Sequence, residues 1–376
     1  MRLLSTRLLL LPCISLWALA LFLIFDQTPA NDSYRYLEEA KFVQEYGLDY
    51  FEKTNSAPYY WFYPIVLSQV LVFMEPVEVW DASFYLNILL YGAAAYLFYE
   101  ILRWYCRPLV SFVGFLAFLF CFEMWHWTYY LLTEIPYIFL CIGFFYFLYK
   151  PKQNICYQLL SLLVFGLSIL FIKPVGFIFI GLCLTGLFIR YFGFKVGKKQ
   201  MLLTSSFIGI FGIGVFYLLF KSADSGLGIN TYLEGFAGHF RNGDIIKDRL
   251  EYRIEQGDEH WLVFAIKLFL LRVFYFWYPL IKGYSLSHLL MNAVFLLPVF
   301  VLGFMGLIRQ LLVKRDSICL SLVFIIVGFT VFHSATFLDF GHRYRSPLIW
   351  IMLFFACILL QCVWDRYQIF SLKSKK

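Results

Sequence analysis

Pro347-Leu348-Ile349-Trp350-Ile351-Met352-Leu353-Phe354-Phe355-Ala356-Cys357-Ile358-Leu359-Leu360-Gln361-Cys362-Val363-Trp364 runs without one formal charge and is closed by Asp365-Arg366. A run of this length crosses the hydrocarbon core as a helix, which needs roughly 17 to 25 apolar residues. Outward from it, comparable runs lie at 8–25, 82–102, 108–122, 132–149, 156–172, 175–192, 201–220, 288–308 and 317–334. The 376-residue chain is 61% hydrophobic and only 15% charged, too little polar surface for a soluble globule of this size. The expected fold is all-α: a polytopic bundle of about ten transmembrane helices in a single membrane domain, 1–376.

Two further apolar stretches are ambiguous. Residues 59–74 are short and carry Pro64, and 261–282 carry Lys267 and Arg272. Loop charges decide the second case. With ten spans and an inside N-terminus, the inner segments hold Arg2, Arg7, Arg103, Arg107, Lys150, Lys152, Arg190, Lys195, Lys198, Lys199, Arg309, Lys314, Arg315, Arg366, Lys373, Lys375 and Lys376. They hold only the acids Glu100, Asp316 and Asp365, as the positive-inside rule requires. A crossing at 261–282 would export the Lys314-Arg315 and C-terminal clusters, so both stretches are expected as interfacial helices in outer loops. The first span follows Arg2 and Arg7 and reads as an uncleaved helix, since no clean Ala-x-Ala-like site follows it.

The net charge of +7 belongs to these anchoring loops and does not imply nucleic acid. Nine cysteines are scattered, mostly within spans and with no Cys-x-x-Cys pair, so they read as small apolar residues. The aromatic content of 22% fits either sugar-stacking surfaces or interfacial belts, and lipid-facing Phe with interfacial Tyr and Trp covers most of it.

The polar length of the chain lies in two outer loops, 26–81 and 221–287. In the first, Tyr36, Ala40, Val43 and Gly47 recur at helical spacing behind Asn31-Asp32-Ser33, with Glu38, Glu39, Lys41 and Glu45 on the other face. This predicts an amphipathic helix lying on the bilayer. The second opens on Ser222-Ala223-Asp224-Ser225-Gly226 and runs through a charged stretch, Asp244 to Glu259, towards the interfacial segment.

On this topology several ionisable and aromatic groups gather at the outer face, where polar residues near span ends mark functional sites. Asp32 has two readings, a helix cap or a reactive acid. Glu134, in Thr133-Glu134-Ile135-Pro136, suits a helix N-terminus equally well. Lys173 lies deep in an apolar run, where its ammonium must either snorkel or meet an anion. Arg343 and Arg345 flank Tyr344 and fit either lipid headgroups or a bidentate hold on phosphate. Tyr59, Tyr60, Tyr63 and His126 complete the set. An acid that accepts a proton, with three cations that hold a phosphate, suggests group transfer from a phosphorylated donor.

At these residues the chain resembles a known family. Asp32-Ser33-Tyr34-Arg35-Tyr36-Leu37-x-x-Ala40, Pro58 through Tyr63-Pro64, Thr133-Glu134-x-Pro136, Lys173-Pro174-x-Gly176 and Arg343-Tyr344-Arg345-x-Pro347 follow the order seen in GT-C glycosyltransferases, in their protein-mannosyltransferase and aminoarabinose-transferase-like branch. The resemblance spans nearly the whole membrane domain. It implies a GT-C-like bundle, a polyprenyl-phosphate-linked sugar as donor, and transfer on the external face to a lipid, glycan or protein acceptor. The family's loop acid maps onto Asp32, but the second acid of many members is replaced here by Asn31 and Ser33, which puts a divalent metal in question. The extra soluble C-terminal domain of larger members is also not seen.

The expected mechanism has Asp32 as general base on the acceptor hydroxyl, with inversion at the anomeric carbon. Lys173, Arg343 and Arg345 hold the departing phosphate. Tyr59, Tyr60, Tyr63, His126, Glu134 and Tyr344 contact sugar or acceptor. The alternatives are a flippase or transporter for a lipid-linked glycan and an O-antigen polymerase-like enzyme. The expected setting is a bacterial plasma membrane, with both termini cytoplasmic and the site on the periplasmic side.

Overall fold

The computed structural model describes residues 4–24, 31–50, 61–151, 155–173, 175–191, 244–247, 250–253, 260–280, 285–313, 316–336 and 342–373. The expected span at 201–220 lies outside these residues, as do Tyr59 and Tyr60. Among the described residues the chain is helical except for one hairpin.

The helices, in chain order, begin with α1 (Leu4–Ile24), α2 (Asn31–Tyr46), α3 (Phe62–Leu71), α4 (Pro76–Leu102) and α5 (Pro108–Leu119). A short α6 (Phe122–Trp125) and a 3-10 turn (His126–Tyr129) lead to α7 (Glu134–Tyr149). Then α8 runs through Ile155–Ser161, a π-turn at Leu162–Gly166 and Leu167–Ile172, followed by α9 (Gly176–Tyr191). The stretch 221–287, expected as a second outer loop, contributes β1 (Asp244–Lys247) and β2 (Leu250–Arg253), paired antiparallel with Asp244 opposite Arg253, a hairpin the sequence reading did not anticipate. Last come α10 (Trp261–Trp277), α11 (Leu286–Val313, with a π-turn at Asn292–Leu296), α12 (Ser317–Thr336) and α13 (His342–Lys373).

Five described helices are long and apolar enough to cross a membrane: Thr6–Leu23, Glu78–Leu102, Leu286–Val313, Ser317–Ser334 and Arg343–Gln368. A sixth results if Pro108–Leu119 and Phe122–Tyr129, bent by 51°, count as one span. Glu134–Tyr149, Cys156–Ile172 and Gly176–Phe188, expected as spans, are shorter apolar helices. At 1.5 Å per residue the 16 residues of α7 reach only about 24 Å against a hydrocarbon core of about 30 Å. The outer face of α11 is apolar along its whole length, with Leu286, Leu290, Val294, Leu297, Val301, Met305, Ile308 and Leu312 exposed at helical spacing. A water-facing helix would not keep such a stripe; a lipid-facing one would. The protein is a helical integral membrane protein.

The contacts divide the described chain into two compact units. Unit 1 comprises 1–180, 294–312 and 346–376, and unit 2 comprises 181–293 and 313–345.

Unit 1 is built on α4. Helix α1 lies antiparallel to it, with Thr6 bonded to Tyr99, Arg7 paired with Glu100, Trp17 against Tyr91 and Phe22 against Tyr85. Helix α5 is also antiparallel, with Phe115 meeting Tyr99 and Phe118 meeting Tyr91. Helix α13 runs with α4, since Trp350 meets Phe98 while Gln361 and Asp365 reach Arg107 beyond the C-terminus of α4. Gly303 and Gly306 of α11 lie against the Met352 and Phe355 carbonyls of α13, a close approach that no side chain would permit. These alternating directions collect Arg7, Glu100, Arg103, Arg107, Arg309 and Asp365 at one end of unit 1. The opposite end carries the C-terminus of α1, the start of α4 and the 126–130 turn.

In unit 2, α10 packs on α12. Trp277 donates to the Thr330 hydroxyl, and Arg272 is buried and donates to the Ser334 carbonyl. An amphipathic interfacial helix keeps its charges on a polar outer face; here Lys267 is exposed but Arg272 lies on the packed side.

Candidate functional site

The end of unit 1 remote from the arginines carries Asp32, Tyr63, His126, Glu134 and Lys173. Helix α2 forms as its pattern predicts. Tyr36, Ala40 and Val43 are buried, Glu38, Lys41 and Glu45 are exposed, and Gly47 adopts φ 65° so that its N–H closes the helix on the Val43 carbonyl at 2.9 Å. Asp32 is half-buried in the first turn, where the helix dipole favours a carboxylate. One turn on, Arg35 stands 5.0 Å from the centre of the Tyr36 ring and 3.7 Å from Glu39. Burial works against the Arg35 guanidinium, but Tyr36, Asp32 and Glu39 together raise its pKa. Burial likewise pushes the Glu39 carboxyl up, with Arg35 opposing.

The buried face of α2 packs on α3, and Tyr36 meets Tyr63 edge-on at 5.2 Å. Tyr63 is only 4% exposed and bonded to Ser83 of α4, so its ring is part of the packing, not an open stacking surface. Burial raises the Tyr63 phenol far above its ordinary value, and the Glu134 carboxylate adds to this. Contacts thus run from the Asp32 helix through Tyr36 to Tyr63, and Glu134 lies within electrostatic range of the Tyr63 phenol.

Glu134 is the first residue of α7 and is fully buried. Its Oε1 lies 2.8 Å from Nζ of Lys173, whose side chain is 12% exposed. The antiparallel packing of α8 on α7 brings the two together: Gln158 donates to the Leu148 carbonyl, Ser161 to the Phe144 carbonyl, and Phe165 fills the space above Gly143. Lys173 follows the last residue of α8 in an extended conformation (φ −151°, ψ 139°), which turns it out of the helix, and the Tyr137 ring lies 5.5 Å from its ammonium. Of the two outcomes expected for this lysine, the structure shows the one in which it meets an anion.

The bend after α5 is held by Asn87, buried in α4, which donates to the Thr128 and Tyr130 carbonyls at 3.4 and 3.0 Å. His126 projects from this bend, half-buried, its Nδ1 2.8 Å from the Phe122 carbonyl and its ring stacked on Phe122. A carbonyl only accepts, so Nδ1 is the protonated nitrogen and Nε2 carries the lone pair of the neutral ring. Glu123 is buried on the same short helix, and sequence reasoning missed it and Asn87. Their signal was a polar group inside an apolar run.

Unit 2 holds the remaining candidates. Arg345 is fully buried and donates to the Phe276 and Tyr278 carbonyls at 3.4 and 2.9 Å, where it offsets the negative C-terminal end of α10. Tyr344 is half-buried against His333, itself buried among Phe276, Phe329 and Phe332. Arg343 is half-buried.

The structure therefore joins Glu134 to Lys173, packs Tyr63 against the Asp32 helix within electrostatic range of Glu134, and holds His126 in the bend after α5. Arg343, Tyr344 and Arg345 stand in the other unit. Among the described residues no three His, Cys, Asp or Glu side chains converge on a point where a metal ion would sit. Compared with known proteins, the chain matches no family model, no curated protein and no solved structure.

Proposed function

We propose that the protein is a membrane glycosyltransferase that moves a sugar from a polyprenyl-phosphate donor to a lipid, glycan or protein acceptor on the outer face of a bacterial plasma membrane, within a GT-C-like bundle of about ten spans. The observation that carries the reading is the presence, in one unit, of a half-buried acid in the first turn of a surface helix and of a buried ion pair in which Lys173 lies 2.8 Å from Glu134.

In this reading Asp32 accepts the proton of the acceptor hydroxyl as its oxygen attacks the anomeric carbon. The bond from that carbon to the phosphate oxygen breaks, and the polyprenyl phosphate departs with the electron pair. A positioned base contributes about 100- to 10,000-fold. Lys173 neutralises charge on the leaving phosphate, an effect of comparable size where water is excluded. His126 offers Nε2 to a sugar hydroxyl. In unit 2, Arg343 is the more accessible of the two arginines for an anion, while Arg345 closes the end of α10.

The test is chemical. Lipid-linked glycans extracted from cells with and without the protein are compared by mass spectrometry. The transferase reading expects one structure to be short by a single sugar when the protein is missing; glycans of unchanged composition would refute it.

A specific observation favours one second reading. Lys173 stands at the break between α8 and α9, α8 carries a π-turn, and α5 bends sharply into α6. Interrupted helices with buried ionisable groups also mark transporters. Movement of a labelled lipid-linked sugar across liposomes without any acceptor would support that reading instead.

A further inference from the structure

Glu134 and Lys173 are not equivalent partners. The carboxylate is fully buried, whereas the lysine retains 12% exposure, so the reachable part of the pair is cationic. Glu134 is fixed by its place in the first turn of α7, where the helix dipole favours its charge. Lys173 is fixed by the extended backbone after α8, by Tyr137 beneath it and by the 2.8 Å contact. A lysine in apolar surroundings tends to lose its proton, by up to several pKa units, unless a nearby anion favours the charged form. The titratable groups around this ammonium are Glu134, Tyr137 and Cys141 on α7, with Tyr63 on α3 within electrostatic range of Glu134.

We propose that Glu134 is a positioning residue: it keeps Lys173 protonated and in place, so that the pair is a pre-charged receptor for the phosphate of a lipid-linked donor. The inference rests on the transferase reading and goes beyond it, because it takes Glu134 away from the sugar and assigns it to the phosphate. It also separates two things a simple strut would not: the geometry of the lysine and its charge.

The experiment measures binding of a polyprenyl phosphate, with the uncharged polyprenol as control, to the full-length protein in lipid nanodiscs between pH 7.5 and 9.5. Over this range the phosphate monoester is already doubly ionised. Wild-type protein is expected to prefer the phosphate with a Kd that changes little across the range. Glu134→Gln keeps the shape and loses the charge. Its Kd is expected to equal that of the wild type within a few-fold at pH 7.5 and to rise about tenfold or more by pH 9.5, as Lys173 deprotonates. Glu134→Asp keeps the charge and is expected to retain the flat profile. Arginine does not deprotonate in this range, so Glu134→Gln combined with Lys173→Arg is expected to bind independently of pH. A flat profile for Glu134→Gln overturns the inference alone, and so does a loss equal at every pH that arginine does not rescue. Wild-type protein that binds polyprenol as well as the phosphate overturns the donor reading together with the inference.

Discussion

Lys173 and Glu134 show what a single contact at 2.8 Å implies for stability as well as for chemistry. Removing one partner of a buried pair leaves the other uncompensated, which costs about 3–5 kcal/mol, whereas replacing both by apolar groups is often neutral. Glu134→Ala is thus expected to lower the melting temperature in detergent markedly, and Glu134→Ala with Lys173→Met to restore most of it; thermal scans of the purified variants check this. The lysine was legible in the sequence because a charge deep in an apolar run demands an explanation. Its pairing with Glu134 was not, since the two stand 39 positions apart in the chain and are brought together by the packing of α8 on α7. Arg345 shows the converse: two arginines around a tyrosine suggest an anion clamp, yet its guanidinium is directed at the carbonyls that end α10, a geometry no sequence pattern announces.

Among the elements, the helices with a one-sided pattern were read most faithfully. Tyr36, Ala40, Val43 and Gly47 define the packed face and the end of α2 because the 3.6-residue period has one buried solution. Breaks were harder. The bend after α5 rests on Asn87, 41 residues away from the Thr128 carbonyl it holds, and the π-turns of α8 and α11 leave no sign in composition. The contact of α11 with α13 offers a sharp test. A methyl group at Gly306 meets the Phe355 carbonyl, which is backbone and cannot swing aside. Gly306→Ala is expected to cost about 1–3 kcal/mol, while Gly47→Ala acts only through the φ 65° strain, about 1–2 kcal/mol. Melting curves in the same detergent compare the two directly; an unchanged Gly306→Ala would mean that α11 and α13 do not touch in this register.

At the scale of the whole molecule, the sidedness expected from the loop charges is open to a direct test. The loop count assigns Arg7, Arg103, Arg107 and Arg309 to one side of the bilayer, and the helix directions of unit 1 gather the same residues at one end. With the native cysteines replaced, a single cysteine at Glu38 is expected to react with a membrane-impermeant maleimide added to intact cells. One at Arg366 is expected to react only after the membrane is opened. The reverse pattern would invert the molecule and remove the external site.

The claim on which the account turns is that Asp32 takes a proton from the acceptor. Asp32→Asn preserves the size of the side chain and abolishes its basicity. The measurement is release of polyprenyl phosphate from a polyprenyl-phosphate sugar by the purified protein, with acceptor supplied by membranes lacking it. The account predicts a loss of about 100-fold or more with unchanged affinity for polyprenyl phosphate and an unchanged melting temperature. Turnover equal to that of the wild-type protein would contradict it.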